Sequence, residues 1–176
     1  MQSQSVHRIA ATALIAAIYA ALTMTLGFMS YNTVQFRVAE ALCILPFFFP
    51  WTTWGLVLGC LIANLLSPVG PADVIFGTVA TLLACLATAA LGRGDRRSWV
   101  RNVLGCLMPV IFNAAIVGAL IAWFEVGGLG GPAFWTAFAV NAASVGFGEL
   151  VVMLVLGLPL MRWLPQSRFY VRLAAQ

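Results

Sequence analysis

Charged side chains are scarce in this chain, and the shortage excludes most soluble folds. Asp, Glu and Arg make up 8% of the 176 residues, lysine is absent, and 62% of the residues are hydrophobic. A soluble domain is about 45–50% apolar, whereas runs of about twenty apolar residues are typical of transmembrane helices. Such runs fill most of the sequence. We therefore predict a single transmembrane domain over residues 1–176, with no soluble module.

Residues that several chemistries require are also missing. The one histidine, His7, lies near the N-terminus, which excludes histidine-based catalysis or metal binding inside the membrane. The four cysteines stand singly in apolar sequence without a CxxC pair, so a zinc site is not expected. The chain contains no GxxxxGK[ST] loop for ATP. We expect no enzyme activity, cofactor or nucleic-acid partner, and any energy source must come from another chain.

Six apolar segments predict an all-α integral membrane protein built as a bundle of six transmembrane helices. Proline, glycine and an arginine-rich run separate the segments, and Pro and Gly are the residues that most often end helices. The predicted spans are 8–29, 34–50, 52–67, 73–92, 100–123 and 135–163.

The distribution of arginine predicts the orientation of the bundle. Eight of the nine arginines lie at the N-terminus, between the fourth and fifth spans, or at the C-terminus. With six spans and a cytoplasmic N-terminus, these eight fall inside, as the positive-inside rule requires. We therefore expect a multi-pass protein of the plasma membrane with both termini in the cytoplasm. Arg37 falls on the outer side, so the positive-inside rule does not account for its position.

The segment predicted to form spans two and three contains too few residues for two full membrane crossings. At about 1.5 Å per residue, residues 34–67 provide roughly 51 Å of helix, less than two crossings of about 30 Å each. Either both spans are short or the segment forms a re-entrant hairpin, and the sequence leaves both open. In either case Arg37 and Glu40 are drawn below the membrane surface.

Polar residues within or beside the spans predict a binding site. Ionisable groups at such depth are costly and usually face the bundle interior or a cavity. Most of these residues fall in the outer half or near mid-membrane, which indicates a pocket that opens outward rather than a pore. The candidates are Gln35, Arg37, Glu40, Asn64, Asp73, Asn113, Asn141 and Glu149.

Each candidate also has a purely structural interpretation. Arg37 and Glu40 are three residues apart and could pair only with each other. Asp73, shortly after Pro71, could be the N-cap of a helix. The three asparagines could make interhelical hydrogen bonds. Glu149 has no basic residue near it in sequence, so it needs a partner from another helix or a bound proton.

Span one carries small residues at a regular spacing. Ala13, Ala17 and Ala21 form an AxxxAxxxA pattern on one helix face. Small residues at this spacing allow a second helix to approach closely. The pattern predicts either packing inside the same bundle or a docking face for a separate membrane subunit.

Five segments, taken in order, carry a resemblance to a known family: VQFRVAEAL, GCLIANLLSP, ADVIFGTVATLLA, FNAAIVGA and GFGELVVMLVLGLPL. Over about residues 8 to 165 the chain resembles the QueT-type transporters, a family of queuosine-precursor uptake proteins. Members are substrate-binding S components of energy-coupling-factor (ECF) transporters. The resemblance implies a six-helix bundle with cytoplasmic termini that binds a 7-deazaguanine from outside.

The resemblance also implies partners and roles for particular residues. A transmembrane coupling subunit and two ATPase subunits would accompany the chain, so ATP would be used by the partners. Ala13, Ala17 and Ala21 match the docking face of S components, and residues 30–34 match the loop that caps the ligand. The sequence leaves open which carboxylate binds the base. The alternative hypothesis is a stand-alone proton-coupled transporter of a small nucleobase-like solute, with Glu149 as the relay.

Overall fold

Every regular element in the part of the chain that the computed structural model describes is a helix. The described residues are 2–27, 36–67, 70–94, 98–168 and 170–171. The prediction of an all-α protein is therefore confirmed for these ranges. Gln35 and the predicted capping loop at residues 30–34 lie outside them.

The described elements are seven α-helices, three 3-10 segments and one π-helical turn. In chain order the α-helices are α1 (Gln2–Thr25), α2 (Leu45–Phe48), α3 (Thr53–Asn64), α4 (Pro71–Leu91), α5 (Trp99–Val126), α6 (Pro132–Val152) and α7 (Leu158–Trp163). Segments of 3-10 helix cover Val38–Ile44, Pro50–Thr52 and Leu164–Gln166, and a π-helical turn covers Met153–Gly157.

Four of the described helices are long and apolar enough to cross a membrane. They occupy Val6–Thr25, Pro71–Leu91, Trp99–Val126 and Pro132–Gln166, the last being α6 and α7 joined through the π-helical turn. Large apolar side chains on their outer faces, such as Leu14, are exposed, as expected for surfaces that contact lipid. The structure thus supports a multi-pass membrane protein, while six full crossings and the orientation of the termini stay predictions.

Glycine–proline pairs fix where two of the long helices begin. Gly70 and Gly131 are the N-cap residues of α4 and α6, with φ angles of 82° and 86°. Such positive φ angles are unfavourable for residues with a side chain. Pro71 and Pro132 follow at the first helical position, where the missing N–H of proline costs nothing.

The segment predicted as span two lies in the middle of the bundle. Val38–Phe48, which we call the central segment, is 3-10 helix up to Ile44 and α-helix from Leu45. It contacts α1, α3, α4, α5, α6 and the π-helical turn, and most of its side chains are buried. Irregular backbone at membrane depth is tolerated where protein encloses it. The central segment is too short to cross a membrane alone, in line with the shortage of residues at 34–67.

Two glycines allow α1 and α3 to pack at close range. A Cβ atom added to Gly55 would lie 2.7 Å from the carbonyl oxygen of Thr12. One added to Gly59 would lie 2.7 Å from the carbonyl oxygen of Ala16 and 2.8 Å from Cβ of Tyr19. This GxxxG spacing brings the buried face of α1, which carries Tyr19, against α3.

Candidate functional site

Buried polar side chains from five helices and the central segment meet inside the bundle. Eight such side chains among the described residues are linked to one another by hydrogen bonds, an ion pair or electrostatic interactions. Some of these links pass through Cys60. We call these side chains the polar cluster: Tyr19, Arg37, Glu40, Asn64, Asp73, Thr81, Asn113 and Glu149. None is more than 2% exposed. Polar groups at such depth need partners, so the cluster is the candidate site.

The ion pair of the cluster joins Arg37 to α4. Arg37 Nη2 lies 3.6 Å from Asp73 Oδ2, and both side chains are 2% exposed. Asp73 occupies the third position of α4, whose N-cap is Gly70 and shows no side-chain capping bond. The interpretation of Asp73 as an N-cap is therefore wrong. The interpretation that Arg37 pairs only with Glu40 is also wrong, because its guanidinium forms an ion pair with a carboxylate on another element.

Glu40 accepts hydrogen bonds from three different elements. The Tyr19 hydroxyl of α1 donates to Oε1, as does Thr81 Oγ1 of α4 at 3.4 Å. Cys43 Sγ of the central segment donates to Oε2 at 3.0 Å. The carboxylate of Glu40 thus holds α1 and α4 to the central segment.

Asn64 ties the end of α3 to the start of α4. Its Nδ2 donates to the carbonyl oxygen of Asp73 at 3.2 Å and to Cys60 Sγ at 3.3 Å. A Cβ atom on Gly77 would lie 2.6 Å from Asn64 Nδ2 and 3.1 Å from Asp73 Oδ1. Gly77 is therefore required for the Asn64 amide to lie against α4 beside Asp73.

Asn113 and Glu149 form the part of the cluster between α5 and α6. Asn113 Nδ2 donates to Glu149 Oε1 at 3.2 Å. The central segment contacts both α5 and α6, so this pair lies beside it, where Arg37 attracts the charge of Glu149 and Glu40 repels it. Asn113 is thus a partner for Glu149 on another helix, one of the two alternatives predicted from the sequence.

Several buried oxygens of the cluster have no hydrogen-bond donor among the described residues. They are Asn64 Oδ1, Asp73 Oδ2, Asn113 Oδ1 and Glu149 Oε2, of which Asp73 Oδ2 has Arg37 at ion-pair distance. A buried acceptor left without a donor costs about 1–3 kcal/mol. Amide oxygens and ionised carboxylate oxygens carry no proton to donate to one another, so these atoms form a group of buried acceptors that could take N–H donors.

Asn141 has its contacts away from the polar cluster. Its Nδ2 donates to Glu125 Oε2 at 2.7 Å and to the carbonyl oxygen of Ala137 at 3.0 Å. Glu125 is exposed near the end of α5. These contacts match the interpretation of Asn141 as an interhelical hydrogen bond between α5 and α6, so the structure groups it apart from the other described candidates.

Two members of the cluster and two thiols beside it are not among the residues predicted from the sequence. Tyr19 and Thr81 bind Glu40, while Cys43 and Cys60 make sulfur contacts to Glu40, Asn64 and Thr81. A hydroxyl within an apolar helix is a weak signal, because Thr and Tyr are common in helices without any site. The position of Tyr19 on the face of α1 opposite the alanine pattern was the available clue.

The alanine pattern faces away from the bundle. Ala13, Ala17 and Ala21 are all exposed, whereas Ala16 and Ala20 on the other face of α1 are buried. Packing of the three alanines inside the bundle, one of the two predicted alternatives, is therefore wrong. Their role as a docking face stays a prediction.

The apolar grooves on the bundle surface are separate from the polar cluster. One of about 400 Å3 is lined by Leu154, Leu158, Pro159, Arg162, Trp163 and Gln166. A second groove, of about 200 Å3, lies between α1, the central segment and α7. No residue of the polar cluster lines either groove. Among the described residues, no three His, Cys, Asp or Glu side chains are placed to hold a metal ion.

Comparison with known proteins identifies relatives of the chain. A family model described as QueT transporter matches residues 9–166. The Queuosine precursor transporter QueT of Lactococcus lactis subsp. cremoris (strain MG1363) is 39% identical over 85 residues. That match covers 47% of this chain and 50% of the relative, so it spans half the length of the relative. No solved structure matches the chain.

Proposed function

Since the chain belongs to the QueT transporter family, we propose that it captures a queuosine precursor or related 7-deazaguanine as the S component of an ECF importer. It binds this ligand from outside and passes it to a coupling subunit and two ATPases. In this proposal the six helical segments cross or enter the plasma membrane, and both termini are cytoplasmic.

The observation that carries the proposal is the surplus of buried acceptors in the polar cluster. A 7-deazaguanine offers several N–H groups along one planar edge, and carboxylate and amide oxygens are the acceptors for such groups. Glu149 Oε2 and the amide oxygens of Asn64 and Asn113 lack donors among the described residues. A guanine-like ligand would supply them, and the Arg37 guanidinium can donate to the carbonyl oxygen of the base.

The proposed partners account for the lack of an energy source in this chain. ATP would be hydrolysed by the ATPase subunits, in agreement with the missing ATP-binding loop. The exposed alanine face of α1 would contact the coupling subunit, because small side chains permit close helix approach.

The test combines ligand identification with one substitution. Mass spectrometry of the protein purified in mild detergent is expected to detect a 7-deazaguanine. Glu149→Gln replaces one acceptor oxygen with a donor, so calorimetry is expected to show affinity reduced about 5- to 150-fold, the equivalent of a lost buried hydrogen bond.

The matched control is Glu125→Gln, which alters an exposed carboxylate outside the polar cluster. It is expected to bind with wild-type affinity. Unchanged affinity of Glu149→Gln would remove Glu149 from the site, and failure of any 7-deazaguanine to bind the wild-type protein would refute the proposed substrate.

A further inference from the structure

The surface groove of about 400 Å3 changes from apolar to polar along its length. Leu154 and Leu158 line it at the π-helical turn and the start of α7, and Arg162, Trp163 and Gln166 line it further along the chain. We call it the α7 groove. From residue 154 to residue 166 the helical chain rises roughly 18 Å at about 1.5 Å per residue, close to one lipid leaflet, which is half of a hydrocarbon core of about 30 Å. A phospholipid has the same order of parts, with apolar chains next to a polar headgroup.

Exposed tryptophans mark the polar end of the α7 groove as the level of the membrane interface. Trp163 is 59% exposed, and Trp99, at the start of α5, is 47% exposed. Tryptophan is enriched where a membrane protein meets the lipid headgroups, because its ring is apolar while its N–H is polar. Arg162 lies in the last turn of α7 and contacts the Trp99 ring. Its guanidinium is therefore at the depth of the lipid phosphate groups.

The guanidinium of Arg162 is held in position without a carboxylate partner among the described residues. Its Cζ lies over the Trp99 ring, 4.2 Å from the ring centre. A guanidinium that lies over a ring keeps its N–H groups in its own plane, where they can donate in pairs to phosphate oxygens. A phosphate at the polar end of the groove would thus meet a cation that is already in place.

The described carboxylates lie away from this end of the bundle. Three of them belong to the polar cluster, and Glu125 is near the C-terminal end of α5, whereas Arg162 contacts the first residue of that helix. In the orientation proposed above, the polar end of the α7 groove faces the cytoplasm, and the cytoplasmic leaflet is the one that carries anionic lipids. The charge of Arg162 therefore complements an anionic headgroup.

We propose that the α7 groove binds one anionic phospholipid of the cytoplasmic leaflet, with its phosphate at Arg162 and an acyl chain against Leu154 and Leu158. The charge of Arg162 favours this occupant over a zwitterionic lipid, whose headgroup also carries a cation. The polar end of the groove favours it over an apolar helix of another subunit. The site is separate from the polar cluster and does not depend on which solute the cluster binds.

The test compares two lipids that share their acyl chains and differ in headgroup charge. We would titrate the protein in detergent with phosphatidylglycerol, which is anionic, or with phosphatidylcholine, which is zwitterionic, and count the bound lipids by native mass spectrometry. The wild-type protein is expected to bind its first phosphatidylglycerol about fivefold more tightly than phosphatidylcholine, the preference that one arginine near a membrane surface provides.

Removal of a charge assigns the preference to its residue. In Arg162→Ala the preference for phosphatidylglycerol is expected to disappear, because the cation at the polar end is gone. Arg8→Ala is the matched control, because Arg8 is an exposed arginine on α1 that does not line the groove. It is expected to keep the full preference.

Filling the groove tests its apolar end. Leu154→Trp places a large ring where the acyl chain would lie, so it should weaken the binding of phosphatidylglycerol several-fold. Val155→Trp adds the same ring at the neighbouring position, which is exposed and outside the groove, and should leave binding unchanged. Leu154 is itself 47% exposed, so neither substitution disturbs the core.

Three outcomes would overturn the proposal and leave the proposed function untouched. The first is equal affinity of the wild-type protein for the two lipids, or a preference that survives in Arg162→Ala. The second is loss of the preference in Arg8→Ala as well, which would show a general attraction to the basic surface. The third is unchanged lipid binding by Leu154→Trp together with loss of the coupling subunit on co-purification, which would assign the groove to a protein partner.

Discussion

Arg37 and Asp73 are a buried ion pair in a protein with few charges. Removing two charges from water is costly, and their attraction repays the cost only with good geometry and further hydrogen bonds. The 3.6 Å separation of Nη2 and Oδ2 is long for such a pair. The pair therefore adds little net stability, but the guanidinium prevents the carboxylate of Asp73 from being buried without a positive charge beside it.

Removal of Arg37 is expected to be worse than removal of Asp73. Arg37→Ala should lower the free energy of unfolding by about 3–5 kcal/mol, because it leaves Asp73 as an uncompensated buried charge, whereas Asp73→Ala should lower it less, because Glu40 and Glu149 also interact with the guanidinium. The double variant should lose less than the sum of the two single losses. Thermal unfolding in detergent, followed by circular dichroism, measures all three.

Arg162→Ala serves as the control for loss of an arginine at an exposed position. Arg162 is exposed, with its Cζ 4.2 Å from the centre of the Trp99 ring, so its loss should cost about 0.5–1 kcal/mol. Additive losses from the two single variants would show that Arg37 and Asp73 act independently.

The sequence identified Arg37 as anomalous but could not identify its partner. The positive-inside rule marks an arginine on the outer side as unusual, and the structure shows a buried side chain bound to α4. Contacts between separate helices depend on rotation and register, which an apolar pattern leaves undetermined. For the same reason, the sequence could not identify Tyr19 and Thr81 as partners of Glu40.

At the scale of elements, two small-residue patterns have different environments. Gly55 and Gly59 of α3 lie against the backbone of α1, whereas Ala13 and Ala17 of α1 are exposed. Sequence spacing alone could not distinguish them, because GxxxG and AxxxA both permit close helix approach. The 3-10 geometry of the central segment was likewise not predictable, since it depends on the helices that enclose it.

Substitutions in the two patterns are expected to affect different properties. Gly59→Ala should lower the free energy of unfolding by about 1–3 kcal/mol, because its Cβ would overlap the Ala16 carbonyl oxygen.

Ala17→Leu should change stability and ligand binding little but abolish transport by blocking the coupling subunit. Thermal unfolding, calorimetry and uptake with the complete transporter measure these effects. Normal assembly and transport by Ala17→Leu would contradict the docking-face proposal.

At the scale of the whole molecule, the source of energy distinguishes the two transport hypotheses. Glu149 is a buried carboxyl with one unpartnered oxygen among the described residues, which would also suit a proton relay. Ionisable groups in the cluster therefore cannot alone decide between an S component and a proton-coupled transporter.

Reconstitution is expected to decide between them. The chain alone in liposomes should bind a 7-deazaguanine without accumulating it, even with an imposed proton gradient, because in the proposed function transport requires the coupling subunit and the ATPases. Addition of the coupling subunit and the ATPases with ATP should start uptake of radiolabelled ligand. Gradient-driven uptake by the chain alone would instead support the proton-coupled hypothesis.

The burial of the cluster also has a consequence for kinetics. Every cluster residue is at most 2% exposed, so a ligand cannot reach Glu149 by direct collision. Association must wait for an opening of the bundle, and binding that requires a conformational change is slower than diffusional encounter. The same barrier would slow escape, so under the proposed function a bound ligand would stay in place while the chain diffuses in the membrane to a coupling subunit.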